Sequence, residues 1–345
     1  MHAKREEKLE YIHWLKGLGI VLVVFGHFYA SLFVLPGFET ARNAVYIFHM
    51  PLFMAISGFL YARAPRLSVG ALLKKKFGRL LVPYISISGV ILAAKLTAGL
   101  LHFGLRRPVN VQDGLAFLFY PHQGFACFLW YLYTLFVIFG VMGLLDLFRT
   151  PLWMCVAVAV GARFLPLPPY FCLDLAGQNL IYFVLGMVFA RLAGTVAARN
   201  FRTNGGLVVG AWMVFGALAW LVQTPGAKIQ VVFWSASIAG IIASWLTALR
   251  LGQGGGGVLA WLGRASSAIY LLHTLVMGVV RYIWEEHLGV DSSWARILFL
   301  TSSVGLGLVL PVWFQQYVLD RIPHASRLFL GLDPAPRPSA PQQNP

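Results

Sequence analysis

The chain has 345 residues, 59% of them hydrophobic and 11% charged, with 27 basic against 12 acidic side chains and a mean hydropathy of +0.73. A soluble domain carries about 25% charged residues, so this composition describes a polytopic membrane protein. The net charge of +15 does not point to nucleic acid, because the basic residues sit in short clusters between apolar runs, as the positive-inside rule expects.

Apolar runs of spanning length fall at about 11–33, 42–62, 80–101, 126–147, 152–167, 178–194, 205–223, 230–249, 266–284 and 295–319. They predict an all-α fold, a polytopic transmembrane helix bundle of about ten spans. The first run follows Lys4, Arg5 and Lys8 but is too long for a signal peptide and contains Lys16, so it reads as an uncleaved span. With the N-terminus inside, 19 basic residues fall on the inner side and 8 on the outer, which predicts N-in and C-in. The expected organisation is a cytoplasmic segment 1–10, a membrane domain 11–320, and a Pro-rich cytoplasmic tail 321–345 that is expected to be disordered.

The first span carries two ionisable groups, Lys16 and His27. Such groups are costly at membrane depth and point to function. They are eleven residues apart, three helical turns, so they share one face about 16 Å apart along the axis. Gly17, Gly19 and Gly26 flank them and let neighbouring helices approach closely. The second span follows a turn at Pro36 and Gly37 and reads FHMPLFMAISGF over 48–59. His49 lies seven residues into it and His27 six residues before the end of the first, so in antiparallel helices the two imidazoles have similar depth. Pro51 removes one helix hydrogen bond and is expected to free a carbonyl beside the site.

The inner loop 63–79 holds Arg63, Arg66, Lys74, Lys75, Lys76 and Arg79. It fits an anchor to anionic lipid and equally a clamp for a polyphosphate ligand, for which Arg79 is the best single candidate because guanidinium binds phosphate bidentately. The outer loop 102–125 carries Arg106, Arg107, Asp113 and His122, and leads into Trp130 and Tyr131. These two fit an interfacial aromatic belt or a stacking platform for a sugar. The outer loop 167–179 (Tyr170, Asp174, Gln178, Asn179) is polar enough to join that side. Gly252 to Gly257 lacks the GKS/T ending of a phosphate loop. In the ninth span Tyr270 and His273 share a face, His273 fitting either a packing role or the site. Cys127, Cys155 and Cys172 show no CxxC spacing, so neither a metal site nor a disulfide framework is expected. No internal repeat argues for an inverted-repeat transporter.

Two histidines at matched depth, one on a face with a lysine, suit proton transfer, since imidazole titrates near neutral pH. A hydroxyl attacking a thioester needs such a base, and the oxyanion needs a nearby donor or cation. The residues alone are equally compatible with a proton-coupled transporter.

The pattern resembles the acyltransferase-3 family of integral membrane acyltransferases, which includes bacterial O-acetyltransferases of sugars and surface polysaccharides. KGLGIVLVVFGH over 16–27 is similar to that family's basic residue, ten residues, then His. FHMPLFMAISGF over 48–59 resembles its FHMPLFF-x-x-SGF, and KKKFGRLLVPY over 74–84 resembles its basic cluster followed by R-x-L-x-x-P-Y, with a shifted spacing at Leu81. LWYLYTLF over 129–136, YFVLGMVFAR over 182–191 and SSAIYLLHTL over 266–275 are weaker likenesses. The resemblance covers about 11–320. Lys16 stands where many members have Arg, and His13 where the family has Asp.

The resemblance implies transfer of an acyl group, acetyl in most members, from cytoplasmic acyl-CoA to a carbohydrate or glycolipid hydroxyl at the outer face of a bacterial inner membrane, without a metal. Carried over residue by residue, it implies functional roles for Lys16, His27, His49 and Arg79. With the residue reading, it makes His27 the base or a transient acyl carrier and lets His49 orient the acyl group or acceptor. Arg79, Lys75 and Lys76 would hold the CoA phosphates, and Trp130, Tyr131, Tyr270 and His273 would face the acceptor. Membrane lipid is the other expected partner, nucleic acid is not, and a homodimer stays open. The rival reading is a transporter or flippase of a small molecule or lipid-linked sugar. A structural or regulatory membrane partner follows if His13 marks a member without activity.

Overall fold

The structure, a computed structural model, describes residues 10–28, 37–100, 109, 116–193, 204–224, 230–252 and 257–332. The end of the first expected span, the turn residue Pro36, Arg106, Arg107 and Asp113, most of the glycine run, the segment 1–9 and residues 333–345 lie outside the described residues.

Among the described residues the regular structure is helical throughout, with no strand. In chain order the helices are α1 (Glu10–His27), α2 (Phe38–Arg63), α3 (Val69–Lys76), a π segment (Phe77–Leu81), α4 (Val82–Leu100) and α5 (Trp130–Leu147). They continue as α6 (Leu152–Phe164), α7 (Leu173–Leu192), α8 (Gly205–Gln223), α9 (Gln230–Leu251), α10 (Val258–Arg264), α11 (Ser266–Ile283), α12 (Ser293–Tyr317) and α13 (Pro323–Leu330). Eight helical runs among the described residues are long and apolar enough to cross a membrane: 38–63, 69–100, 127–147, 170–192, 205–223, 230–251, 266–288 and 293–321. The other two expected spans are α1, described over 18 residues, and the shorter α6, 13 residues. Large apolar side chains such as Trp153, Met213, Trp220 and Trp313 stand exposed on the rim, as helices surrounded by hydrocarbon require.

Lipid tails are as apolar as leucine, so close backbone packing must hold such a bundle together. Two crossings show it. A Cβ on Gly17 would land on the carbonyl of Leu259, and one on Gly263 would land on the carbonyl of His13, so α1 and α10 touch backbone to backbone through reciprocal glycines. Gly58 against Phe183 and Gly186 against Ala55 do the same for α2 and α7. Gly19 faces the Phe53 ring and Gly26 the Tyr46 ring, both on α2. All three flanking glycines of α1 are thus contact surfaces, and the stripe between them is left to Lys16 and His27.

Two expectations change. Pro51 lies inside α2 and cannot pair with the carbonyl four residues back, Ile47. That carbonyl is not left beside the site: the Ser237 hydroxyl of α9 lies 2.7 Å from it and ties the two helices together. The disordered tail does not begin at 321. Leu319–Arg321 form a 3-10 turn and α13 follows, with Pro323 opening the helix and Gly331 closing it in the left-handed region (φ 64°). Leu330 is buried, and α13 lies against α4 and the π segment. The proline-rich composition begins only beyond this amphipathic helix.

Candidate active site

Lys16 opens onto a cavity of about 530 Å³ whose wall carries four further cations, Arg66, Lys75, Lys76 and Arg79. Lys75 and Lys76 end α3, where the helix dipole favours positive charge. The Lys76 ammonium sits 3.6 Å from the centroid of the Phe139 ring, a cation–π contact at the cavity edge. Arg79 lies in the π segment, a widened turn of the kind found at functional sites. Behind it, Gly331 packs so closely that an added Cβ would lie 2.7 Å from the Arg79 Cα and carbonyl oxygen. The C-terminal helix therefore braces the backbone that carries Arg79.

One carboxylate shares this cavity. Asp146, near the end of α5, accepts a 2.6 Å hydrogen bond from the Tyr61 hydroxyl. Deeper in, the wall is aromatic. Tyr131 is 3.0 Å from the Ser57 hydroxyl and 3.3 Å from the Phe53 carbonyl, and Tyr270 donates to the Phe128 carbonyl at 2.6 Å. The Tyr131 and Tyr270 rings meet edge to face at 5.6 Å. Trp130 adjoins Tyr131, with centroids 6.4 Å apart, but lines neither this cavity nor the next.

At the other end of α1, His27 lines a separate cavity of about 200 Å³ between α1, α11 and α12. Its ring centroid is 5.0 Å from that of His273. The Tyr46 ring stands between His27 and His49, 6.3 Å from the first and 5.0 Å from the second. All three histidines are wired alike. Nδ1 lies 2.8 Å from Val23 O in His27, 2.9 Å from Val45 O in His49, and 2.9 Å from Ile269 O in His273. A carbonyl oxygen only accepts, so Nδ1 carries the proton and Nε2 presents a lone pair. His49 is 2% exposed and His273 fully buried, with its Nε2 unpartnered. Of the three, His27 lines the smaller of these two cavities, and a neutral ring there can accept a proton at Nε2.

The predicted residues thus divide into two groups. Lys16, Lys75, Lys76, Arg79, Tyr131 and Tyr270 meet at the large cavity. His27, His49 and His273 cluster at the far end of α1. Lys16 and His27 share a helix stripe but open into different spaces, and the α11 turn from Tyr270 to His273 stands between them, Tyr270 facing one and His273 touching the other's histidine. Sequence reasoning missed Asp146, although a lone carboxylate ending an apolar span is itself a signal. It also missed Arg66 as a cavity residue, and Thr274, Arg281 and Ser303 beside His27. Among the described residues no group of three or more His, Cys, Asp or Glu side chains is placed to hold a metal ion.

The family model Acyl_transf_3, described as an acyltransferase domain, matches residues 9–315. Nodulation protein NolL of Sinorhizobium fredii (strain NBRC 101917 / NGR234) is 29% identical over 217 residues, 58% of this chain and 54% of that protein. The chain thus spans about half the length of this curated relative. No solved structure matches.

Proposed function

From the premise that this chain belongs to the Acyl_transf_3 family of acyltransferases, we propose that it is an integral membrane O-acyltransferase that moves an acetyl group from acetyl-CoA to a carbohydrate hydroxyl across a bacterial inner membrane. The observation that carries this is the division of α1: its Lys16 end opens on a cavity with five cationic side chains and its His27 end on a small, separate one. A CoA thioester is a polyphosphate with a long neutral arm. Arg79, Lys75 and Lys76 suit its phosphates through charge-assisted hydrogen bonds, and the aromatic depth at Tyr131 and Tyr270 suits the arm. The basic cavity then faces the cytoplasm, with the N-terminus inside, and the His27 cavity faces the outer side.

In the reaction, His27 Nε2 takes the proton of the acceptor hydroxyl as its oxygen attacks the thioester carbonyl. The carbon–sulfur bond breaks, the thiolate leaves, and the imidazolium returns the proton to sulfur. His49, tied to Val45 and separated from His27 by Tyr46, acts as a positioning residue. Donor and acceptor meet at the α11 turn between Tyr270 and His273, so that turn gates the transfer. Two cavities at opposite ends of one helix are also the geometry of a small-molecule or lipid-linked-sugar transporter, and consumption of acyl-CoA decides between the two.

The test is acetyl-CoA binding and turnover by the purified full chain, wild type beside Arg79→Ala and His27→Ala. The expected result is that the arginine change weakens binding at least tenfold, whereas the histidine change removes most turnover and leaves binding intact. No binding of acetyl-CoA at millimolar concentration, or full turnover by His27→Ala, overturns the proposal.

A further inference from the structure

We propose that the 200 Å³ cavity beside His27 seats the acyl acceptor, and that it takes a single ring of a neutral carbohydrate through the hydroxyls of Thr274 and Ser303. This deepens the function proposed above and rests on His27 being the group that handles the acceptor proton.

Unpaired polar atoms are the first ground. Ser303 is 1% exposed, lines the cavity, and its hydroxyl has no hydrogen-bond partner. Thr274 Oγ1, in the same wall, is buried and unpartnered too. A buried polar atom left without a partner is costly. Serine and threonine inside a helix commonly return their hydroxyl to the carbonyl four residues back. Ser86, Ser244, Thr247 and Thr301 do this here. Thr274 and Ser303, on the two helices that frame the cavity, do not. A ligand rich in hydroxyls that both donate and accept satisfies both.

Size and charge narrow the class. Drug-sized ligands occupy pockets of about 300–1,000 Å³, so this smaller space holds one sugar ring and excludes a nucleotide or an oligosaccharide. Phe28, Met277 and Phe299 supply an apolar wall against which the C–H face of a pyranose packs. Arg281 at the wall is matched by Glu285, 3.7 Å away, so the site carries no uncompensated positive charge to select an anion. The basic cavity at the Lys16 end is the opposite case, with five cations and one carboxylate.

Gly278 makes the cavity testable. A Cβ added there meets nothing within 4 Å, so the side chain of Gly278→Leu starts in open space at the cavity wall. The experiment measures binding of the methyl glycosides of glucose, galactose and N-acetylglucosamine to the full chain, with glucuronate as the anionic control. Acetyl-CoA binding is followed in parallel. At least one methyl glycoside is expected to bind saturably and more tightly than glucuronate. Ser303→Ala and Thr274→Val should each weaken it roughly three- to tenfold, and Gly278→Leu should abolish it, all with acetyl-CoA affinity unchanged. Glycoside affinity unchanged in Gly278→Leu, preference for glucuronate, or no saturable binding of any of the three glycosides overturns the subsite. Failure of acetyl-CoA to bind while glycoside binding follows the cavity variants overturns the donor assignment and leaves the subsite standing.

Discussion

The two ends of α1 open on cavities made of different materials. At the Lys16 end the cavity is large and basic, and apart from Lys16 itself its cations come from segments close in sequence: α3, the π segment and the loop before them. At the His27 end it is small, nearly neutral, and built by α1, α11 and α12, which are brought together from opposite ends of the chain. A basic cluster near a membrane surface works by summed charge and tolerates imprecise placement. A neutral hydroxyl ligand is held by hydrogen bonds, which weaken steeply with misplacement. The first kind of site can be assembled from one local segment. The second needs rigid helices with fixed crossings, and Gly307 shows one, since an added Cβ there would come within 3.1 Å of both Met277 and Val24.

The contrast can be broken from either side. His27→Ala should lower transfer by about 10²–10⁴-fold, the range of a lost general base, with acetyl-CoA binding unchanged in a direct binding assay. Should binding fall in step with turnover, the two ends are not separate sites. Arg79→Ala should weaken acetyl-CoA by roughly 10- to 100-fold, the worth of a charged hydrogen bond to phosphate, and leave glycoside binding intact. Gly331→Ala tests whether α13 truly braces Arg79. Its residue occupies a left-handed conformation that costs a side chain about 1–2 kcal/mol, and the added Cβ would press on the Arg79 backbone. Acetyl-CoA affinity should drop by up to about tenfold, and an unchanged Kd would make α13 a bystander. The smallest effect is that of salt. At about 1 M ionic strength the Debye length falls to ~3 Å, so donor affinity should decline severalfold across a salt titration while glycoside affinity stays flat.

The family resemblance leads one to expect Asp at position 13, where this chain has His13. Glu10, one turn earlier on the same helix, sits 3.4 Å from Arg264 of α10. A carboxylate on α1 therefore reaches that cation. His13 contributes its backbone instead, as the surface on which Gly263 rests.

Much of this was legible in the chain because it depends on one helix or one short motif. A run of apolar residues must satisfy its own backbone in a bilayer, so the all-helical bundle follows from composition. The common stripe of Lys16 and His27 follows from the helical repeat alone. The basic cluster at 63–79 could be read as a polyphosphate clamp because its charges are sequential. Even the loss of a hydrogen bond at Pro51 was readable, although not where the freed carbonyl would go. That carbonyl went to Ser237, a partner 190 residues distant. Tyr131 and Tyr270 could be seen as site residues, yet only the packing of α5 against α11 placed them in the cavity of Lys16. The pairing of Tyr61 with Asp146, 85 residues apart, and the unpaired hydroxyls of Thr274 and Ser303 had no local signature at all. What the sequence by itself determined is everything set by helix periodicity and the bilayer: class, spans, and which polar groups share a face. Only the tertiary structure decided that those groups open into two separate cavities, because a side chain's surroundings are fixed by which helices cross it, and those crossings are chosen by glycine contacts between distant segments.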